Sequence, residues 1–417
     1  MIRIGFAKRD ITPPVGTELG GYAGYRPCTG VHDPLSCRAV VLEQDGARYA
    51  LAALELMCAD ESLCSRIAQK VAGLGIPPEH LVVCAIHSHS APAGLIPGEG
   101  PLASVNQAIV PRDPGFGDYM EAVATAAAEA CAEAAARPEG FRVRTARGSL
   151  PPIGSERHTG QKAAGELTVL QCRTDSGRVL TLYSFPCHPT VMSPANLLVS
   201  ADVVGGIEAL LDGETAIFLN GAAGDISTRF TRREASFAEC DRMARMAADS
   251  IRSLLQTALW IAPEPLTGRT ASVTLQARRV MAPEEAQKQL EEATARWQQA
   301  LAEGADAGTV RILKSYVEGA GVNLEFSHTM GNIRQLQLPV KLFRFAGLTF
   351  ITIPGELYST LLPPDIIPIC YANGYYRYIA DSHAYEEGHY EAMAAILAPG
   401  QGETLMQEIT QLLTQLP

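Results

Sequence analysis

A chain of 417 residues with 47% apolar and 19% charged residues can bury a core without staples, which excludes a disordered chain and a small disulfide scaffold. Lys and Arg number 34 against 45 Asp and Glu, a net charge of −11 with no basic run, so nucleic acid is not an expected partner. None of the ten cysteines forms a Cys-x-x-Cys pair, residues 1–10 carry no signal-peptide core, and no apolar run reaches the roughly 18 residues of a membrane span; a reduced, cytoplasmic protein with no stable membrane anchor is expected, with homo-oligomers allowed.

The first fifty residues read as β structure and loops. Ile4-Gly5-Phe6-Ala7 is a short strand ended by Ile11-Thr12-Pro13-Pro14, and Gly20-Gly21-Tyr22-Ala23-Gly24-Tyr25 is a flexible aromatic loop. Residues 37–43 and 48–54 flank Gln44-Asp45-Gly46-Ala47, a hairpin signal. Helical spacing over 61–74 stops at Gly73 and Gly75, with Pro77-Pro78 beyond, and the apolar run from Leu81 to Ile86 completes a strand–helix–strand unit. Residues 95–116, rich in Pro and Gly and without period, have the length of a rim or lid. An alanine-rich helix over 118–136 and a strand over 141–148 precede the charged turn Pro151-Pro152-Ile153-Gly154-Ser155-Glu156-Arg157-His158. Strands 167–172 and 179–185 surround Asp175-Ser176-Gly177.

A helix over 203–211 leads to a strand over 215–219. That strand ends in Asn220-Gly221-Ala222-Ala223-Gly224-Asp225-Ile226-Ser227, where small residues let the backbone approach a ligand. An amphipathic helix spans 235–259. Two charged helical stretches, 282–303 and 308–318, read as a solvated excursion, with a flap over the site as the alternative. A strand over 333–345 turns at Ala346-Gly347 into a strand over 348–353. Residues 366–371 form another strand, 373–391 an aromatic segment, and 402–416 a closing helix. This succession predicts an α/β fold: a layered mixed β-sheet core flanked by helices, in one domain over 1–417, with a helical excursion at about 282–320.

Chemistry-bearing residues collect where strands end. His87 and His89 follow the Leu81–Ile86 run; two residues apart on extended chain, they point the same way. Alone they read equally as ligands or as a hydrated surface turn. His188 follows a second strand, in Phe185-Pro186-Cys187-His188, and Glu356 follows a third, in Ile353-Pro354-Gly355-Glu356. Ligand sites of α/β proteins lie at strand carboxyl ends, and two His with one carboxylate make a metal-ligand set with a position left for water. Spacing alone does not rank His87 against His89. There is no His-Glu-x-x-His, no Gly-x-Ser-x-Gly and no phosphate loop. Cys187 is a poor nucleophile candidate, because adjacent side chains of an extended chain point apart.

Several separated blocks resemble the neutral, non-lysosomal ceramidase family, along its N-terminal catalytic domain. His87-Ser88-His89-Ser90-Ala91-Pro92-Ala93-Gly94 is similar to the family's His-Thr-His-Ser-Gly-Pro-Gly-Gly, and His188-Pro189-Thr190 with Ser200-Ala201-Asp202 to its His-Pro-Thr and Ser-Ser-Asp. Asn220 to Ser227 resembles its Gly-Asp-Val-Ser block, and Pro354-Gly355-Glu356 its Pro-Gly-Glu-Phe. Asn373-Gly374-Tyr375-Tyr376-Arg377-Tyr378-Ile379 followed by Tyr390-Glu391 resembles its tyrosine blocks. The resemblance implies a Zn(2+) site made by His87, His188, Glu356 and Tyr378, with His89, Arg157 and Tyr390 at the reacting centre. Ser227, which matches a serine once proposed as nucleophile, is assigned a structural or supporting role. The family's C-terminal immunoglobulin-like domain has no counterpart here, and no secretion signal is seen. The expected substrate is therefore a small soluble N-acyl or cyclic amide rather than ceramide. An esterase, lactonase or deacetylase with the same centre, and a binding protein without turnover, are the alternatives. In the expected mechanism His89 carries the proton, Tyr390 and Arg157 stabilise the oxyanion, and residues 91–94 wall the substrate entrance.

Overall fold

The computed structural model describes residues 2–416 except Ala108, Leu150, Pro151, Lys162, Ala164, Gly165, Asp212 and Asn332, so Pro151 of the charged turn lies outside the described residues. Among the described residues three four-stranded sheets form the core. The first orders Ile2–Asp10, Ser36–Gln44, Ala47–Leu54 and Leu81–Ala85, the second Phe141–Ser149, Glu166–Thr174, Val179–Phe185 and Glu214–Asn220, and the third Thr267–Gln276, Gln335–Phe345, Leu348–Thr352 and Ile366–Ile369. Each sheet is antiparallel over three strands and closes with one parallel pair. In the first two sheets the crossover carries a helix, Glu61–Val71 or Asp202–Leu210.

The period-2 pattern of the strands explains the layers. Ile4, Phe6, Val40 and Leu42 of the first sheet join Leu170, Leu180 and Ile217 of the second and Phe350 and Ile369 of the third in one buried cluster between inner faces. Cys37, Ala39 and Val41 point the other way, into the larger cluster shared with the helices. The Leu81–Ala85 strand is buried at every position, as its unbroken apolar run requires. The Phe116–Ala136 helix lies on the outer face of the first sheet, and its small buried residues Ala127, Ala130 and Ala134 allow a close approach. Asp60 caps the Glu61–Val71 helix through Oδ1 and accepts the Ile96 amide through Oδ2, at 2.7 and 2.8 Å, which ties down the start of the 95–116 segment. Burial of that carboxyl pushes its pKa up to about 6.

Two expectations need correction, and one strand had none. The second charged helix runs Ala307–Thr329, well past residue 318. Gly319 does not stop it: a Cβ there would lie 2.7 Å from Met393 Sδ, so the glycine lets the helix rest against the Tyr390–Met393 helix. The Thr267–Gln276 strand gave no signal, because it is an edge strand with most positions exposed and polar. Residues 91–94 are buried rather than an entrance wall. Ala91 accepts the Gly20 amide, Pro92 the Met57 amide and Gly94 the Asp60 amide, at 2.9, 3.0 and 2.8 Å. Among the described residues no helix is long and apolar enough to cross a membrane, and all ten cysteines are free thiols.

Candidate metal centre

The parallel pair of each sheet delivers a strand carboxyl end to one place. From the first sheet, Ile86 and His87 extend the pairing by amide bonds to Leu54 and Leu56 carbonyls. His87 then takes a φ of +69°, a conformation that a non-glycine residue holds only where its surroundings impose it. Its ring stacks on Tyr371 with centroids 4.0 Å apart, and Nδ1 lies 2.8 Å from the Met57 carbonyl. From the second sheet, Phe185 leads through Pro186 and Cys187 to His188, whose Nδ1 lies 3.0 Å from the Ile226 carbonyl. The Asn220 amide, at the end of the neighbouring strand, donates to the Ile86 and Cys187 carbonyls at 3.0 Å each and so fixes the two His-bearing ends against each other. From the third sheet comes Glu356, which opens a two-residue parallel ladder directly opposite Tyr378. Glu356 Oε2 lies 2.9 Å from His188 Nε2 and 3.4 Å from His87 Nε2, and Oε1 accepts the Tyr375 hydroxyl at 2.6 Å.

The proton inventory of this cluster is the test of whether a cation fits. A backbone carbonyl only accepts, so Nδ1 of His87 and of His188 must donate, and each neutral ring presents a lone pair on Nε2. Both lone pairs face Glu356 Oε2, itself an acceptor. Oε1 already accepts the Tyr375 hydroxyl, so Oε2 is the oxygen left to face the two rings. Burial, reinforced by Arg157, pushes the His188 pKa down to about 3, so that ring is neutral near pH 7. Three acceptors therefore converge in a site at most 3% exposed, an arrangement a divalent cation relieves. Their spacing suits one: ligand atoms about 2.1 Å from a tetrahedral zinc stand about 3.4 Å apart. The ring nitrogens of His87, His89 and His188 also lie within 4.8 Å of one another.

His89 differs from its two neighbours. It is 9% exposed, against 2% for His87 and none for His188, so it is the imidazole with an edge left open. Its Nε2 lies 3.2 Å from His87 Nε2, and among the described residues its buried Nδ1 has no partner. The aromatic loop of residues 20–25 covers it. Tyr22 meets the ring edge-on at 4.8 Å, and Arg26 donates to the Gly20, His89 and Asn196 carbonyls at 3.1, 3.1 and 2.8 Å. Gly21, at φ +85°, is required there, since a Cβ would fall 2.4 Å from the His89 ring.

A second network backs the tyrosine. Arg157 Nη1 donates to the Tyr378 hydroxyl at 3.2 Å and to Glu391 Oε1 at 2.9 Å; Glu391 Oε2 sits 3.0 Å from His158 Nε2 and accepts the Tyr358 hydroxyl at 3.3 Å. Burial pushes the Tyr378 phenol well above its ordinary pKa and Glu356 adds to this, while Arg157 opposes them. His158, His389 and Glu391 also group closely enough to suggest a metal. The two rings, however, stack 3.6 Å apart at 14°, so their in-plane lone pairs cannot converge on one ion.

All seven residues singled out in the sequence are thus brought together: His87, His89, His188 and Glu356 in the cluster, and Tyr378, Arg157 and Tyr390 beside it, with the Tyr378 and Tyr390 rings edge-to-face at 5.9 Å. Ser227 pairs with His188 as an isolated β-bridge, and its Oγ accepts the Arg229 amide at 3.4 Å, which suits a structural role. Tyr371, Tyr375 and Glu391 were not singled out; the density of tyrosines in 371–390 was their signal.

Fold and site together define an α/β protein with a buried His/Glu cluster, suited to a metal ion, at the carboxyl ends of three parallel strand pairs. Among solved structures, the chain is similar to a neutral ceramidase from Pseudomonas aeruginosa (TM-score 0.73, 17% identity, 98% of this chain and 73% of that chain covered). It is also similar to a ceramidase complexed with C2 (TM-score 0.72, 16% identity, 97% and 74% covered). No family model and no curated protein matches it. The fold is neutral ceramidase-like.

Proposed function

We propose that this protein is a zinc-dependent hydrolase that cleaves the carbon–nitrogen bond of a small soluble N-acyl or cyclic amide. The observation that carries the proposal is the buried convergence of the His87 and His188 lone pairs on the Glu356 carboxylate. In it His87, His188, Glu356 and Tyr378 hold the metal. Zinc bound there supplies a Lewis acid for the carbonyl and lowers the pKa of a bound water to about 7. His89 takes the proton at Nε2 and returns it to the leaving nitrogen, a role worth about 10² to 10⁴ in rate. Burial holds its pKa well below the ordinary value, so the ring is neutral and Nε2 can present a lone pair. Arg157 holds the Tyr378 oxygen and adds positive charge near the developing oxyanion, and Tyr390, whose ring stands edge-to-face with Tyr378, donates to it in this reading. Ten free thiols support a cytoplasmic setting.

Elemental analysis of the purified protein should find one zinc per chain, and chelation should abolish turnover across a panel of N-acyl amides. Amidase activity that survives complete chelation would end the proposal; faster turnover of esters or lactones would reassign the substrate class at the same centre. Two substitutions separate proton transfer from metal binding. His89→Ala should lower kcat about 10²-fold or more and leave the metal content intact. Gly21→Ala should act on the same step by displacing the His89 ring, at a stability cost of about 1–2 kcal/mol for a left-handed alanine. Loss of zinc from His89→Ala would show that the two histidines have exchanged roles.

A further inference from the structure

An apolar cavity of about 280 Å³ lies between the inner faces of the sheets, with Val40, Leu42, Leu180, Leu182, Phe343 and Phe350 in its wall, and it does not touch the metal cluster. It reaches Tyr49 and Ala50 of one strand and Val82 of the next, near the amino ends of the first sheet's parallel pair, whereas His87 and His89 follow the carboxyl end. Protein interiors seldom keep voids larger than a water molecule, and an apolar void stays dry and takes up hydrocarbon. Lys341 stands at the cavity with only 8% of its surface exposed. Its Nζ donates to the Pro78 and Leu81 carbonyls, and among the described residues no acid lies within ion-pair range of it. An ammonium has three donors, so one is left on this buried cation; Glu79, which also lines the cavity, acts on it through its charge without pairing with it. The lip beside it is formed by Thr270, which donates to the Glu79 carbonyl at 3.1 Å, and by His80, stacked on Tyr49 at 4.1 Å; the Glu79 residue is exposed.

We propose that this cavity binds an aliphatic monocarboxylate, the chain lying between the sheets and the carboxylate on Lys341 Nζ. The head contact is a charge-assisted hydrogen bond, which gives the site its preference for an acid over other amphiphiles. Calorimetric titration of decanoate into the full chain should give one site. Decanol, with the same tail and no charge, should bind about ten- to hundredfold more weakly. Lys341→Met should impose the same loss on decanoate and leave decanol unchanged, and Leu182→Trp, which fills the cavity from its wall, should abolish both. Chelated protein should bind decanoate as well as untreated protein, which separates this site from carboxylate capture at the metal centre. The proposal is overturned if decanoate does not bind, binds no better than decanol, survives Leu182→Trp or is lost on chelation. These arms decide the matter even if Lys341→Met fails to fold.

Discussion

Glu356→Gln is expected to empty the metal centre and, in the metal-free protein, to raise the melting temperature above that of the chelated parent. The first half follows from ligand chemistry. An amide is a poor exchange for a carboxylate on a divalent cation, and if about 10–16 kcal/mol of zinc affinity is shared over four ligands, losing one costs about 3 kcal/mol, or a hundredfold or more in affinity. Turnover should fall with metal content. The second half follows from the proton inventory. Without a cation, the Glu356 carboxylate faces two ring nitrogens that have already committed their protons to the Met57 and Ile226 carbonyls. A glutamine there presents N–H groups to His188 Nε2, 2.9 Å from the present Oε2, and keeps an oxygen for the Tyr375 hydroxyl at 2.6 Å from the present Oε1. Relieving a buried acceptor–acceptor contact is worth about 1–3 kcal/mol. Melting curves of the chelated proteins, run side by side, measure it. A chelated variant less stable than the chelated parent would mean that the imidazoles are protonated and paired with Glu356 as ions, in which case the cluster needs no metal.

What could be read in the sequence was what a strand imposes on its own end. His87, His188 and Glu356 each follow an apolar run that had to be a buried strand, and a polar residue at that point has few places to go but a shared crevice. The third sheet, by contrast, was half hidden: its Thr267–Gln276 edge strand buries two alternate residues, Val273 and Leu275, and exposes most of the rest. Tyr378 could not be reached through periodicity. Tyr371, Asn373 and Arg377 all take positive φ, at 55°, 61° and 55°, so the segment follows neither period. Its conformation is held from outside, by Arg377 donating to Asn106 Oδ1 at 3.0 Å and to the Val105 carbonyl at 2.6 Å. Long-range packing also decided the helix through Gly319. A glycine that reads as a stop in a single sequence is there a contact with Met393, 74 residues further on by the numbering. The pairing of Arg157 with Glu391 spans 234 residues, and no local signal carries such a bond.

That pair yields the other large expected effect. Arg157→Met should destabilise the protein by about 3–5 kcal/mol, because it leaves a buried carboxylate without its cation. Burial opposes ionisation of Glu391, yet the His158 hydrogen bond and the Arg157 charge hold its pKa far below the ordinary value, so its ionised form depends on those partners. His158, with 27% of its side chain exposed, is a weaker partner than the 8%-exposed Arg157. Adding Glu391→Gln to Arg157→Met should restore most of the stability. The double variant holds no buried charge there, and a glutamine oxygen still accepts from Tyr358 and His158. Activity should not return with it. The Tyr378 hydroxyl has lost the Arg157 donor at 3.2 Å, a charge-assisted bond worth about 1.5–3 kcal/mol, so kcat should remain about ten- to hundredfold down. Denaturant unfolding and turnover, measured on the same three variants, separate the two roles. Recovery of both quantities in the double variant would reduce Arg157 to a structural clamp. Recovery of stability alone identifies it as the residue that positions Tyr378, in a protein whose fold no longer needs its charge.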